Sequence, residues 1–258
     1  MILAIDIGNT DIAIGGFNRY GALQFTLRIS TDSTRSVQEY EGVLSHLLST
    51  RQVSEKDVEG AIISSVVPLL SSTIATVIED LYGVRAMHVC RDLDIGIDVK
   101  CDEPSTVGSD LLCACVAAHF KYGSPALIVD MGTATKMMVT DDGGAFIGVS
   151  IMPGVMMGMR SLSSGTAQLP QFGLKAPTRA IGKNTVDCLK SGAVYGNAAM
   201  VDGMIDRLSE EFGRELPIFA TGGFSRAIIG HCKHSITLDD NMVLEGLYII
   251  YERNAKRA

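Results

Sequence analysis

Two similar α/β lobes are what this sequence predicts, on three observations. A short apolar strand, an Asp-x-Gly turn and a second strand occupy residues 2–17, and the same order returns at residues 126–140. The two turns, Asp6-Ile7-Gly8-Asn9-Thr10 and Asp130-Met131-Gly132-Thr133, stand close to half the chain apart. In each half the opening strands are followed by helical periodicity, the order of a sheet covered by helices. A chain of 258 residues, 47% of them apolar, is large enough to bury such cores.

The first turn joins apolar strands at residues 2–5 and 12–17, and a third strand is expected at 23–29. Val37, Tyr40, Leu44, Leu47 and Leu48 recur at helical spacing, which predicts a helix over 36–48. Residues 61–67 read as a buried strand ended by Pro68, and 71–81 as a helix. An Asp- and Gly-rich segment from Arg91 leads to Asp110, after which 111–120 form a very apolar helix ending near Gly123. In the second half, strands are expected at 126–129, 136–140 and 145–151, the last running into Pro153-Gly154. Helices follow at 155–162 and, as one long element, at 185–212. A short strand at 218–220 enters Thr221-Gly222-Gly223, and a helix over 241–253 closes the chain. The expected boundary divides the chain into lobes 1–113 and 114–258, with a ligand cleft between them.

Composition excludes several classes. A net charge of −7 argues against a nucleic-acid partner and against a basic membrane-surface protein. No apolar run reaches the roughly 18 residues of a membrane span. No basic segment precedes the first apolar stretch, and Asp6 interrupts it, so no secretory signal is expected. The six cysteines show no CxxC spacing, and His231-Cys232-Lys233-His234 reads as surface loop rather than zinc site. A cytoplasmic location is the expectation.

A glycine at a hairpin tip lets backbone N–H groups approach an anion with no Cβ in the way. Asn9, Thr10 and Thr133 add side-chain donors, and Gly222-Gly223 after a strand offers a third approach to a nucleotide. Asp6 and Asp130 repel phosphate, so each makes sense there only with a cation between carboxylate and phosphate. Asp110 stands where the apolar helix begins. It is either a helix cap or a carboxylate base held at the positive end of the helix.

With these pieces assembled, the chain resembles the type III pantothenate kinases of the actin–hexokinase–Hsp70 superfamily almost end to end. The resemblance runs through Ala4-Ile5-Asp6-Ile7-Gly8-Asn9-Thr10, Val107-Gly108-Ser109-Asp110, Val129-Asp130-Met131-Gly132-Thr133-Ala134-Thr135 and Ile151-Met152-Pro153-Gly154. It continues through Ala167-Gln168-Leu169-Pro170, Ile181-Gly182-Lys183-Asn184-Thr185, Val201-Asp202-Gly203 and Ala220-Thr221-Gly222-Gly223. It implies two ribonuclease-H-like lobes of the actin–hexokinase type and ATP-dependent phosphorylation of pantothenate, which opens coenzyme A synthesis. It also implies a homodimer that uses Mg²⁺ and a monovalent cation, K⁺ or NH₄⁺.

By motif position, the resemblance implies that Asp6, Ile7, Gly8, Asn9, Thr10, Asp11, Ile12 and Ala13 line the ATP phosphates, with Asp6 holding Mg²⁺ through water. Thr133, Gly222 and Gly223 are the further ATP positions, and Asp130 would hold the monovalent cation. Asp110 would take the proton from the substrate hydroxyl. Gly108 and Asp110 would touch pantothenate, Thr185 would reach it from the partner subunit, and Cys101, Ser109 and Leu111 are the remaining substrate-side positions. Val194, Ala198 and Val201 on the long helix are offered as dimer contact surface.

Departures from the family pattern cluster on the acceptor side. Leu111 replaces an arginine suited to a carboxylate, Cys101 replaces a tyrosine, and Glu103 an asparagine. Lys136 and Met138 stand where threonine and aspartate are more typical. These departures leave two alternatives beside an active pantothenate kinase, namely a kinase of another small alcohol and a nucleotide-binding regulator with little catalysis.

Overall fold

The computed structural model describes residues 1–90, 93–166 and 168–255. Arg91 and Ala167 of the sequence reading lie outside the described residues.

The chain forms two compact units, and they divide it differently from the 113/114 boundary that the sequence predicts. The first takes Met1–Asp98, Asp102–Lys121 and Asn241–Ala258, and the second Val99–Cys101 and Tyr122–Asp240. The helix that follows Gly108 therefore stays almost whole in the first unit, and the closing helix returns to it.

In the first unit β1 (Ile2–Ile7), β2 (Asp11–Phe17) and β3 (Leu23–Ser30) form an antiparallel meander. α1 (Val37–Ser49) starts at a capping box in which the Ser36 side chain and Glu39 satisfy each other's backbone N–H. β4 (Gly60–Ser65) pairs parallel with β1, α2 (Pro68–Tyr82) follows, and β5 (Ala86–His88) pairs parallel with β4. Pro68 does more than end a strand: it is the first helical residue of α2, where its missing N–H costs nothing. α3 (Ser109–Tyr122) completes this stretch, and its sheet has the order β3-β2-β1-β4-β5. Leu111 and residues 113–118 of α3 are all buried, which explains a helix of small apolar residues with no polar stripe.

The second unit repeats the plan. β6 (Ala126–Met131), β7 (Ala134–Thr140) and β8 (Phe146–Pro153) form a meander, followed by α4 (Val155–Ser164). The long helix expected over 185–212 is three segments: α5 (Thr185–Ser191), a π-helical turn at Gly192–Gly196, and α6 (Asn197–Phe212). β9 (Ile218–Thr221) pairs parallel with β6, and after α7 (Ser225–Ile228), β10 (Thr237–Leu238) pairs parallel with β9. The order is β10-β9-β6-β7-β8, the first sheet's order strand for strand when β6 is matched to β1. α8 (Met242–Ala255) then packs in the first unit. No helix of the described residues is long and apolar enough to cross a membrane.

Candidate functional site

Strand alternation decides where Asp6 points. Leu3, Ile5 and Ile7 pack with Tyr40, Leu44 and Ile74 of α1 and α2, whereas Ala4 packs with Cys113 and Val116 of α3 and Leu247 of α8. Asp6 shares the face of Ala4 and therefore lies on the α3 side of the sheet. It stands opposite Ala13 on β2 and beside Ser64 on β4. The buried Ser64 hydroxyl shares a 2.9 Å hydrogen bond with Ser109 Oγ, which ties the start of α3 to the strand ends beside Asp6.

Asp110 comes next. It is the second residue of α3, inside the first turn, and not the flanking residue that a cap requires. Its carboxylate turns back over Gly108, where a Cβ would stand 2.5 Å from Asp110 Oδ1. Burial pushes the Cys113 thiol well above the ordinary cysteine range, and the nearby charges of Asp6 and Asp110 push it further. Two carboxylates from separate elements thus act on one buried thiol.

At the first hairpin tip Gly8 N–H donates to Asp11 O at 3.0 Å, and Thr31 donates its hydroxyl to Gly8 O and its N–H to Thr10 O. The carbonyls of Gly8 and Thr10 are held by Thr31, while Asn9, Thr10 and Asp11 are exposed. Ile7 and Ile12 are fully buried and Ala13 nearly so. Those three positions offer a phosphate only their backbone.

The second hairpin is built more tightly. Gly132 N–H donates to Ala134 O at 3.1 Å, and Thr133 is exposed at the tip. A Cβ on Gly154 would lie 2.0 Å from Thr133 O, so the residue before α4 must be glycine for the hairpin tip to rest on it. Gly222 has φ +92°, and a Cβ there would meet Asp130 Oδ1 at 2.5 Å and the Met131 backbone at 2.7 Å. The Thr221-Gly222-Gly223 turn therefore lies directly on Asp130-Met131, with Thr221 paired to Asp130 across β9 and β6. Asp130 Oδ2 forms a 2.6 Å ion pair with Lys136 Nζ, the residue opposite it on β7, and the two side chains are 13% and 17% exposed.

In the first unit the residue facing Asp6 is the uncharged Ala13. A monovalent ion at Asp130 does not fit. An ion sharing that carboxylate with the ammonium would stand about 4 Å from it, and two like unit charges at about 4 Å repel by about 4 kcal/mol at an effective dielectric near 20. Elsewhere, the described residues hold no group of three or more His, Cys, Asp or Glu able to bind a metal. His231 ends a 3₁₀ turn and Cys232-Lys233-His234 is loop: Lys233 and His234 donate their N–H groups to Asp202, and the Cys232 thiol is pushed up to about 11 by burial and by Asp202.

The remaining expected residues scatter. Gly108, Ser109, Asp110 and Leu111 fall in the first unit, and Cys101 and Thr185 in the second. Leu111 is 6% exposed and packs as a core residue. Thr185 is the exposed first residue of α5, next to Asn184, whose side chain caps the helix by accepting from Asp187 N–H at 2.9 Å. Val194, Ala198 and Val201 are not contact surface: all three are buried in the second unit's own core with Val129, Met131 and Ile205. Sequence reasoning assigned no role to Ser64 or Gly154. Gly154 carried a signal, a glycine placed just before a helix start; Ser64 carried none.

Comparison with known proteins points to one family. The sequence model of the family described as type III pantothenate kinase matches residues 2–207. A type III pantothenate kinase of Rubrobacter xylanophilus is 39% identical over 100% of both chains, and one of Koribacter versatilis is 38% identical over 98% of this chain and 96% of its own. Among solved structures, component A of the Acidaminococcus fermentans (R)-2-hydroxyglutaryl-CoA dehydratase superposes with a TM-score of 0.58 at 14% identity, covering 98% of each chain. The activator of the Clostridium difficile 2-hydroxyisocaproyl-CoA dehydratase, with bound ADPNP, gives 0.56 at 13% identity over 99% of this chain and 96% of its own. Likeness at that identity establishes the fold, of the actin–hexokinase–Hsp70 type. With a family match over most of its length and full-length relatives near 39% identity, the chain belongs to the type III pantothenate kinases.

Proposed function

We propose that this protein transfers the γ-phosphoryl group of ATP to the hydroxyl of pantothenate, giving 4'-phosphopantothenate, the first step of coenzyme A biosynthesis. The observation that carries the reading is the placement of Asp110. The Ser64–Ser109 bond and the space over Gly108 hold a carboxylate beside the end of β1, where the first phosphate hairpin begins. In the reaction the substrate oxygen forms a bond to the γ-phosphorus, the bond from that phosphorus to the β–γ bridging oxygen breaks, and ADP leaves. Asp110 accepts the hydroxyl proton as the oxygen attacks. Residues 6–13 and Thr133, Gly222 and Gly223 are the nucleotide contacts, mostly through backbone. Magnesium held through water by Asp6 would neutralise phosphate charge. Gly108 and Ser109 position the acceptor. Leu111, being packed in the core, does not take the arginine's place on the pantothenate carboxylate.

The protein is further proposed to act as a homodimer in the cytoplasm, with Thr185 serving the partner's acceptor site. Thr185 is exposed, as are the nearby apolar Ile181, 82% exposed, and Val186, 38% exposed, which burial against a second copy would cover.

Assay of purified protein for ATP-dependent phosphorylation of pantothenate tests the reading. Asp110→Asn should lower kcat by about 10²–10⁴ while leaving thermal stability nearly unchanged. Turnover close to the parent's would remove Asp110 as the base.

A further inference from the structure

We propose that the Lys136 ammonium is the resident cation of the second phosphate hairpin. It takes the place of a monovalent metal ion beside Asp130, and the enzyme needs neither potassium nor ammonium. The inference rests on the phosphotransfer reading and deepens it.

Four observations carry it. First, Lys136 and Asp130 are register partners on adjacent antiparallel strands, so the pleat itself aims both side chains to one face, and the 2.6 Å contact needs no loop rearrangement. Second, both side chains are mostly withdrawn from solvent, so the pair is weakly screened by salt, and an ion from solution would have to displace a tethered charge. Third, the other carboxylate oxygen of Asp130 lies against Gly222, whose absent Cβ would approach it to 2.5 Å, and against Gly132. One oxygen faces glycine turns and the other faces the ammonium, which leaves little of the carboxylate for a metal ion. Fourth, the patch formed by Ile128, Asp130, Lys136 and Met138 on this face of β6 and β7 is already neutral, with Ile128 and Met138 fully buried. In the first hairpin an alanine, Ala13, stands opposite Asp6 where the second has Lys136. The two hairpins therefore manage the same electrostatic problem, an aspartate beside a phosphate turn, by different means. Lys136 is the third residue of β7, the strand that leaves the hairpin tip. The same group can thus compensate Asp130 and present positive charge at the hairpin.

The test compares parent protein, Lys136→Thr and Lys136→Met. Mg-ATP binding is measured by calorimetry and pantothenate phosphorylation by turnover, each in tetramethylammonium buffer and in potassium buffer of equal ionic strength. For the parent, ATP affinity and kcat should agree between the buffers. Lys136→Thr should lose at least about tenfold in ATP affinity without potassium, the scale of one charged contact, and recover most of it when potassium is added. Lys136→Met, which blocks the space with an uncharged chain, should lose affinity in both buffers. Potassium stimulation of the parent by about tenfold or more would overturn the proposal, and so would a Lys136→Thr variant equal to the parent without potassium. Should a variant not fold, the potassium titration of the parent decides alone. Absence of pantothenate turnover in every buffer would count against the acceptor, while the calorimetry would still report on Lys136.

Discussion

At Gly108 one missing methyl group decides whether Asp110 keeps its position. A Cβ there would press on Asp110 Oδ1 at 2.5 Å, while Leu111 Cγ would lie at 3.8 Å, an ordinary contact distance. Gly108→Ala should therefore push the carboxylate aside and leave the helix standing. Displacement of a reacting group by about 1 Å costs up to about a hundredfold in rate. The expected result is a kcat reduced by about tenfold to a hundredfold, with a melting temperature within a few degrees of the parent's; steady-state kinetics with a thermal melt checks both. Gly222 differs in kind. Its φ of +92° and the backbone of Met131 both exclude a side chain, so substitution there strains the fold as well as the site.

On the scale of elements, α3 illustrates how burial overrides a motif position. Its residues from Leu111 to Ala118 are buried except Leu112, which is only partly so, and Leu111 reaches the core from the first turn. Restoring the family's arginine by Leu111→Arg should not improve the KM for pantothenate. It should place an unpaired guanidinium in the core and destabilise the protein by about 3–5 kcal/mol, read from the midpoint of urea unfolding. A stable variant with a lowered KM would show instead that position 111 faces the acceptor. The helical run beginning at Thr185 carries a related lesson. Its apolar residues recur as a contact stripe would, yet Val194, Ala198 and Val201 cover β6 of their own unit. β5 and β10, of 3 and 2 residues, are too short for any periodicity to announce them; they exist because the neighbouring parallel strand offers a free edge.

For the molecule as a whole, one plan is used twice. Each unit has a central strand with an aspartate as its penultimate residue, a meander on one side and parallel strands on the other. If Thr185 serves a partner subunit, light scattering at micromolar concentration should give the dimer mass, and Thr185→Ala should weaken pantothenate binding more than ATP binding. A monomeric mass would remove the shared-site reading.

What the sequence by itself determined was the repeat. Two Asp-x-Gly turns between apolar strands, followed by helices, were legible because strand alternation and turn chemistry are local properties. The family was legible through the resemblance its motifs carry, and with it Asp6, Asp110 and Asp130 as residues of interest. Only the tertiary structure decided which partner each acquired. Ser64 and Ser109 are 45 residues apart in sequence and meet through one hydrogen bond. Asp6 and Asp110 both act on the Cys113 thiol because Ala4 of β1 and Cys113 of α3 share one core cluster. Leu111 is equally compatible in sequence with a pocket and with a core, and the fold buries it to 6% exposure. Periodicity states which residues share a face; what covers that face is settled by elements distant in the chain, and so are the charge and space that each side chain finds there.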